Sequence, residues 1–147
     1  MKFYLAARYE RHPGMRGVAA WLIGIGHTVT SRWISGAHGL EGTVGGESQH
    51  NARMAKEDLS DIIAADCLIF FAEDPMVGVV RGGRHVEFGY ALALGKRVIV
   101  VDYRENIFHW LPQVEFYSSW PDVLHKLLTE KAGVATEQEG IKDVAKV

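Results

Sequence analysis

The side chain with the most chemical promise is Glu87. It is the only acidic residue between Asp74 and Asp102, and its neighbours Val86, Phe88, Tyr90, Ala91, Leu92, Ala93 and Leu94 are apolar. A helix that is apolar nearly all round is a buried one, here expected between a sheet and another subunit. A lone carboxylate in such surroundings is costly unless it is paired or hydrogen-bonded. The N-terminus of a helix favours the ionised form, and an ionised carboxylate can act as a nucleophile. The plainer alternative is an ion pair with Arg81 or Arg84.

Asp58 is the second candidate. At about 100° per residue, Ala55, Leu59 and Ile62 form the apolar stripe of a helix. Asp58 falls at the edge of that stripe, within reach of a cleft, whereas Asp61 falls nearer the opposite face and is expected in water. Tyr4 lies in a short apolar run, where its hydroxyl needs a buried partner, and a carboxylate above the strand ends would serve. Arg8, Arg16, Arg81 and Arg84 fall in or beside loops and can clamp a phosphate. Trp33, just before a glycine-rich stretch, can stack on a base or anchor the core. Gly83, in the turn that precedes Glu87, joins the arginines as a candidate substrate contact.

Other chemistries lack their residues. No Gly-x-Gly-x-x-Gly follows the first strand, no Walker-type loop occurs, and no Gly-x-Ser-x-Gly elbow exists. His85-x-Glu87 is too small a set for a metal site. Cys67 opens an apolar strand and reads as inert core. No metal and no cofactor is expected.

The elements that must position these residues alternate in type. Strands are expected at residues 2–7, 27–32, 67–72, 97–102 and 114–117. Helices are expected at 15–25, 51–65, 84–94 and 121–131. The stretch 34–48 carries Gly36, Gly39, Gly42, Gly45 and Gly46 and reads as a long functional loop. The continuous apolar run Cys67 to Ala72 marks a central parallel strand. Strand–helix alternation along the whole chain calls for an α/β fold, doubly wound, with a mostly parallel five-stranded sheet and helices on both faces. In such sheets the ligand lies over the carboxyl ends of the strands.

The chain has 147 residues, within the usual span of one domain. Residues 1–132 are assigned to that domain and 133–147 to a flexible tail. The net charge is −2, with no basic stripe, which argues against a nucleic-acid polymer as ligand. The first apolar run is too short for a signal peptide or a membrane span. With a single cysteine, a cytoplasmic setting is the simplest reading.

Two blocks carry a family resemblance. Ala55 to Asp66 precedes an apolar strand, and Gly82 to Lys96 (Gly-Gly-Arg-His-Val-Glu-Phe-Gly-Tyr-Ala-Leu-Ala-Leu-Gly-Lys) precedes another. Together with Phe3-Tyr4-Leu5-Ala6-Ala7 they resemble the nucleoside 2-deoxyribosyltransferase superfamily over roughly residues 2–120. The resemblance implies a flavodoxin-like (Rossmann-like) fold. It also implies a homodimer or higher homo-oligomer with shared active sites, acting on a nucleoside or nucleotide. It implies that Glu87 attacks C1′ of the deoxyribose, that Asp58 assists the sugar or the proton on the base, and that Tyr4 orients the nucleophile. The chain departs from the transferase pattern at Arg81, where those enzymes tend to carry Asp. That departure and the arginines of the first loop tilt the reading toward a phosphate-bearing substrate. A 2-deoxynucleoside 5-monophosphate N-glycosidase using water is therefore one alternative, and a non-catalytic nucleotide-sensing module is another.

Overall fold

The computed structural model describes residues 1–37, 47–77 and 82–144. Five strands form one sheet: β1 (Lys2–Ala6), β2 (Thr28–Val29), β3 (Cys67–Phe71), β4 (Arg97–Val101) and β5 (Val114–Tyr117). Four α-helices accompany them: α1 (His12–Gly24), α2 (Glu47–Ala64), α3 (Gly83–Ala93) and α4 (Trp120–Val144). The spatial order is β2-β1-β3-β4-β5, and every neighbouring pair is parallel. The α/β, doubly wound, parallel sheet is thus the one the alternation of elements demands. β3 is the central strand and is buried from end to end, as its unbroken apolar run requires.

The period of two along a strand divides the core between the two faces. Tyr4 bonds Glu87 of α3, and Phe70 meets Phe88 of α3 edge-on at 5.6 Å. Phe71, one residue on, faces the other way and meets Trp120 of α4 at 5.8 Å. The helices α2 and α3 pack on each other and on β1. On the opposite side α4 is tied to the end of α1, where Lys131 Nζ donates to the Ile25 carbonyl at 2.5 Å. From β1 the chain turns outward to β2, and from β3 it turns outward the other way to β4. The crevice between β1 and β3 is therefore the switch point of the sheet.

Local chemistry explains the element ends. Pro13 sits in the first turn of α1, where its missing N–H costs nothing. Gly26, at φ +91, closes that helix, a conformation that favours glycine. β2 is much shorter than the expected strand 27–32. The Ser31 hydroxyl accepts the Leu5 N–H at 2.6 Å, taking the place of a strand carbonyl. The chain then turns into a 3-10 segment, Arg32–Ser35. α4 continues past the expected end at Lys131, through Gly133 to Val144, over part of the stretch assigned to a flexible tail. Residues 131–137 are helical yet exposed, because Ala, Glu, Gln and Lys favour helix without needing a core. Most of the glycine-rich stretch 34–48, together with Gly78 and Arg81, lies outside the described residues.

Candidate active site

Three elements bring Tyr4, Asp58 and Glu87 together. Tyr4 projects from β1 and is wholly buried. Its hydroxyl donates to Glu87 Oε1 at 2.9 Å, across from the second turn of α3. Asp58 of α2 lies near the same hydroxyl, and its charge acts on it. Tyr4 therefore stands close to two carboxylates that are 29 residues apart in the chain.

Each group feels the others. Burial pushes the Glu87 carboxyl up to about 8, and the negative charge of Asp58 adds to the rise. The Tyr4 bond and the Arg84 cation act against it. Asp58 is pushed up to about 7, first by burial and then by Asp61 and Glu57, with Tyr4 and Arg32 opposing. Burial and the two carboxylates hold the Tyr4 phenol well above its ordinary range, so it stays a proton donor. Two carboxyls that share one site retain a proton at neutral pH. The arrangement thus offers one carboxylate as a nucleophile or stabiliser and one carboxylic acid as a proton source.

The neighbours correct one sequence-based expectation. Asp61 is not in water. It is buried, and it accepts from the Arg32 backbone N–H at 3.0 Å and from Arg32 Nε at 2.8 Å. Helix α2 is rotated so that Asp58, Asp61 and Ile62 face inward while Ala55 is exposed. The cation that makes this possible comes from the distant 3-10 turn, which the period of α2 does not reveal. In the single chain Val86 of α3 is 67% exposed and Leu94, just past its end, 42%.

The remaining candidates divide. Trp33 is a core anchor rather than a stacking platform: it is buried, and its Nε1–H donates to the Leu5 carbonyl at 2.8 Å. Arg84 is not a rim cation open to a phosphate. It is buried and forks onto Glu105 at 2.7 and 2.6 Å. Arg8 stands at the switch point, 3.5 Å from Glu10 and 4.0 Å from Glu73. Gly83 opens α3 in the open, with nothing within 4 Å of an added Cβ. Arg16 is exposed and lines a cleft of 740 Å³ between α1, the 3-10 turn and α2, together with Ser31, His50, Arg53, Met54 and Glu57. In the α2 wheel Met54 lies only about 40° from Asp58, so this cleft and the buried carboxylates share one side of the helix. His50 and Arg53 were not singled out by sequence, because the glycine-rich stretch before them hides where α2 begins. His50 Nε2 is buried without a hydrogen-bond partner among the described residues.

Comparison with known proteins adds the class of fold. No family model matches the chain, and no curated protein matches it in sequence. Two solved structures share its architecture. One is the CMP N-glycosidase BcmB of Clostridium botulinum, with TM-score 0.56 and 23% identity, covering 86% of this chain and 98% of that one. The other is a 2-deoxyribosyltransferase from the psychrotolerant bacterium Bacillus psychrosaccharolyticus, with TM-score 0.61 and 24% identity, covering 84% and 90%. At this identity the likeness establishes a common fold over nearly the whole chain.

Proposed function

We propose that this chain belongs to the nucleoside 2-deoxyribosyltransferase superfamily and cleaves the N-glycosidic bond of a 2-deoxynucleoside or its 5-phosphate. The observation that carries the reading is the convergence of Glu87, Tyr4 and Asp58, with the Tyr4 hydroxyl on Glu87 Oε1 at 2.9 Å. Two solved structures of like fold, one named a CMP N-glycosidase and the other a 2-deoxyribosyltransferase, support it.

In this mechanism the ionised Glu87 attacks C1′ of the sugar. The C1′–N bond breaks, its electron pair goes to the base, and Asp58 delivers the proton that the leaving base needs. In the free protein Glu87, the higher of the two, holds the shared proton; for attack that proton must pass to Asp58, and the Tyr4 hydroxyl, by donating to Glu87, favours the ionised nucleophile. A deoxyribosyl ester of Glu87 remains. A second base then attacks C1′, or water does; its proton passes to Asp58 and Glu87 leaves as carboxylate. This is the two-step logic of retaining glycosidases. No cofactor or metal takes part in it.

The cleft beside Asp58 favours a phosphate-bearing substrate. Arg16 and Arg53 line it, together with His50 and one carboxylate, Glu57. Hydrolysis of a deoxynucleoside monophosphate is thus the second reading, with water as acceptor. The apolar surface left open on α3 (Val86, Leu94), together with Ile63 of the adjoining α2, suits a second copy of the chain and a homo-oligomer.

The pure protein, incubated with each deoxynucleoside and each monophosphate, with and without a second base, is expected to release free base. A new nucleoside formed only with the second base identifies a transferase. Free base with deoxyribose phosphate and no exchange identifies a nucleotide hydrolase. Absence of glycosidic cleavage on every substrate contradicts the proposal and favours a sensing module.

A further inference from the structure

One carboxylate outside α3 holds the start of that helix. Glu105, in the loop between β4 and the 3-10 turn Ile107–Trp110, accepts from Arg84 Nη2 at 2.7 and 2.6 Å. His85 Nε2 lies 3.0 Å from Oε2, one of the same two oxygens. It also accepts the backbone N–H of Glu73, just past the end of β3. Its own N–H donates to Nδ1 of His109 at 3.2 Å, and His109 is fully buried against Phe70 and Phe88. Asn106 Nδ2 closes the set at 3.3 Å from His85 Nδ1. Glu105 therefore ties the first turn of α3 to the carboxyl end of β3, next to the switch point.

Arg84 precedes Glu87 by three residues, so the two lie on neighbouring positions of one helix face. We propose that Glu105 is a positioning residue for the chemistry at Glu87: by engaging Arg84 and His85 it fixes the first turn of α3 and balances the Arg84 cation that acts on the Glu87 carboxylate. The inference rests on the reading of Glu87 as nucleophile, but its test does not depend on turnover.

Among the described residues the charges concerned are few. Glu87 faces Tyr4 from β1, Asp58 from α2 and Arg84 from its own helix. Glu105 faces Arg84 and His85 from α3 and the Glu73 N–H from β3, with His109 behind it. Burial alone would raise Glu105, but the Arg84 bonds, the Glu73 N–H and His85 outweigh it and hold it below its ordinary value. It is thus an anion at neutral pH, paired to a buried cation. Losing the anion removes a negative charge from beside Arg84, which favours ionised Glu87; losing the cation does the reverse.

The test is a carboxyl NMR titration of 13C-labelled protein, with the Glu87 resonance assigned by its loss in Glu87→Gln. Glu105→Gln is expected to move the Glu87 midpoint down by at least about half a pH unit, and Arg84→Gln to move it up by a similar amount. The double variant should return toward wild type. Thermal melting establishes that each variant is folded, and the Arg84→Gln arm decides the matter if Glu105→Gln is not. Unmoved midpoints, or shifts of one sign in both single variants, would overturn the inference and leave Glu105 a purely structural tie. Failure of the proposed reaction shows itself separately, as absence of glycosidic cleavage by the wild-type protein.

Discussion

Replacing Glu87 with Gln is expected to lower turnover by at least about 1000-fold while leaving the fold intact. Gln has nearly the same shape, and its amide oxygen can still accept the Tyr4 hydroxyl, so the packing between β1 and α3 survives. What it cannot do is form an ester that a second nucleophile reopens. A steady-state assay on the best substrate, beside a circular dichroism spectrum, checks both halves of the expectation. Near-wild-type turnover in Glu87→Gln would remove the nucleophile from the mechanism.

The same substitution should stabilise the protein, and by an amount that depends on pH. Glu87 is raised in the folded protein to about 8 from an ordinary 4.5. A carboxyl with a raised folded value binds its proton more tightly in the native state than in the unfolded chain. Stability is therefore lost as pH rises above the unfolded value, and the loss is complete above the folded one. Gln carries no such burden. Thermal melts of the two proteins should nearly coincide at about pH 4 and diverge up to about pH 8–9, where Glu87→Gln is favoured by about 2–4 kcal/mol. For a chain of this length that is a rise in Tm of about 5–10 °C. A constant or falling advantage across that range would mean that the carboxylate is solvated or paired in a way the buried site does not provide. The pattern also fits the common trade between stability and function, in which a catalytic group is held in an environment that does not suit it.

Much of this architecture is legible in local sequence, and the rest depends on partners far away in the chain. The run Cys67 to Phe71 reads as a central strand because a strand buried on both faces has no reason to alternate. The lone acid Glu87 stands out because an apolar helix gives it no local partner. The convergence of Tyr4, Asp58 and Glu87 follows from register: Tyr4 pairs with Leu68 and its side chain faces α2 and α3. By contrast, the rotation of α2 is set by Arg32, 29 residues before Asp61, which turns a carboxylate inward that the apolar period assigns to water. Arg84 is claimed by Glu105, 21 residues later, so its exposure cannot be read from its own helix. Trp33 becomes core because the Leu5 carbonyl accepts its indole N–H. The early end of β2 likewise turns on a single bond between Ser31 and Leu5.

The most direct test of the central claim is to catch the ester. The protein is mixed with its best deoxynucleoside or monophosphate in the absence of a second base, quenched in acid within one turnover, digested and examined by mass spectrometry. The mechanism predicts that the peptide containing Glu87 gains the mass of one deoxyribosyl group, carrying its phosphate if the substrate does, and that the Glu87→Gln protein gains none. Substrate consumed at full rate with no adduct on that peptide, under quench conditions that preserve such esters, would contradict a covalent route through Glu87.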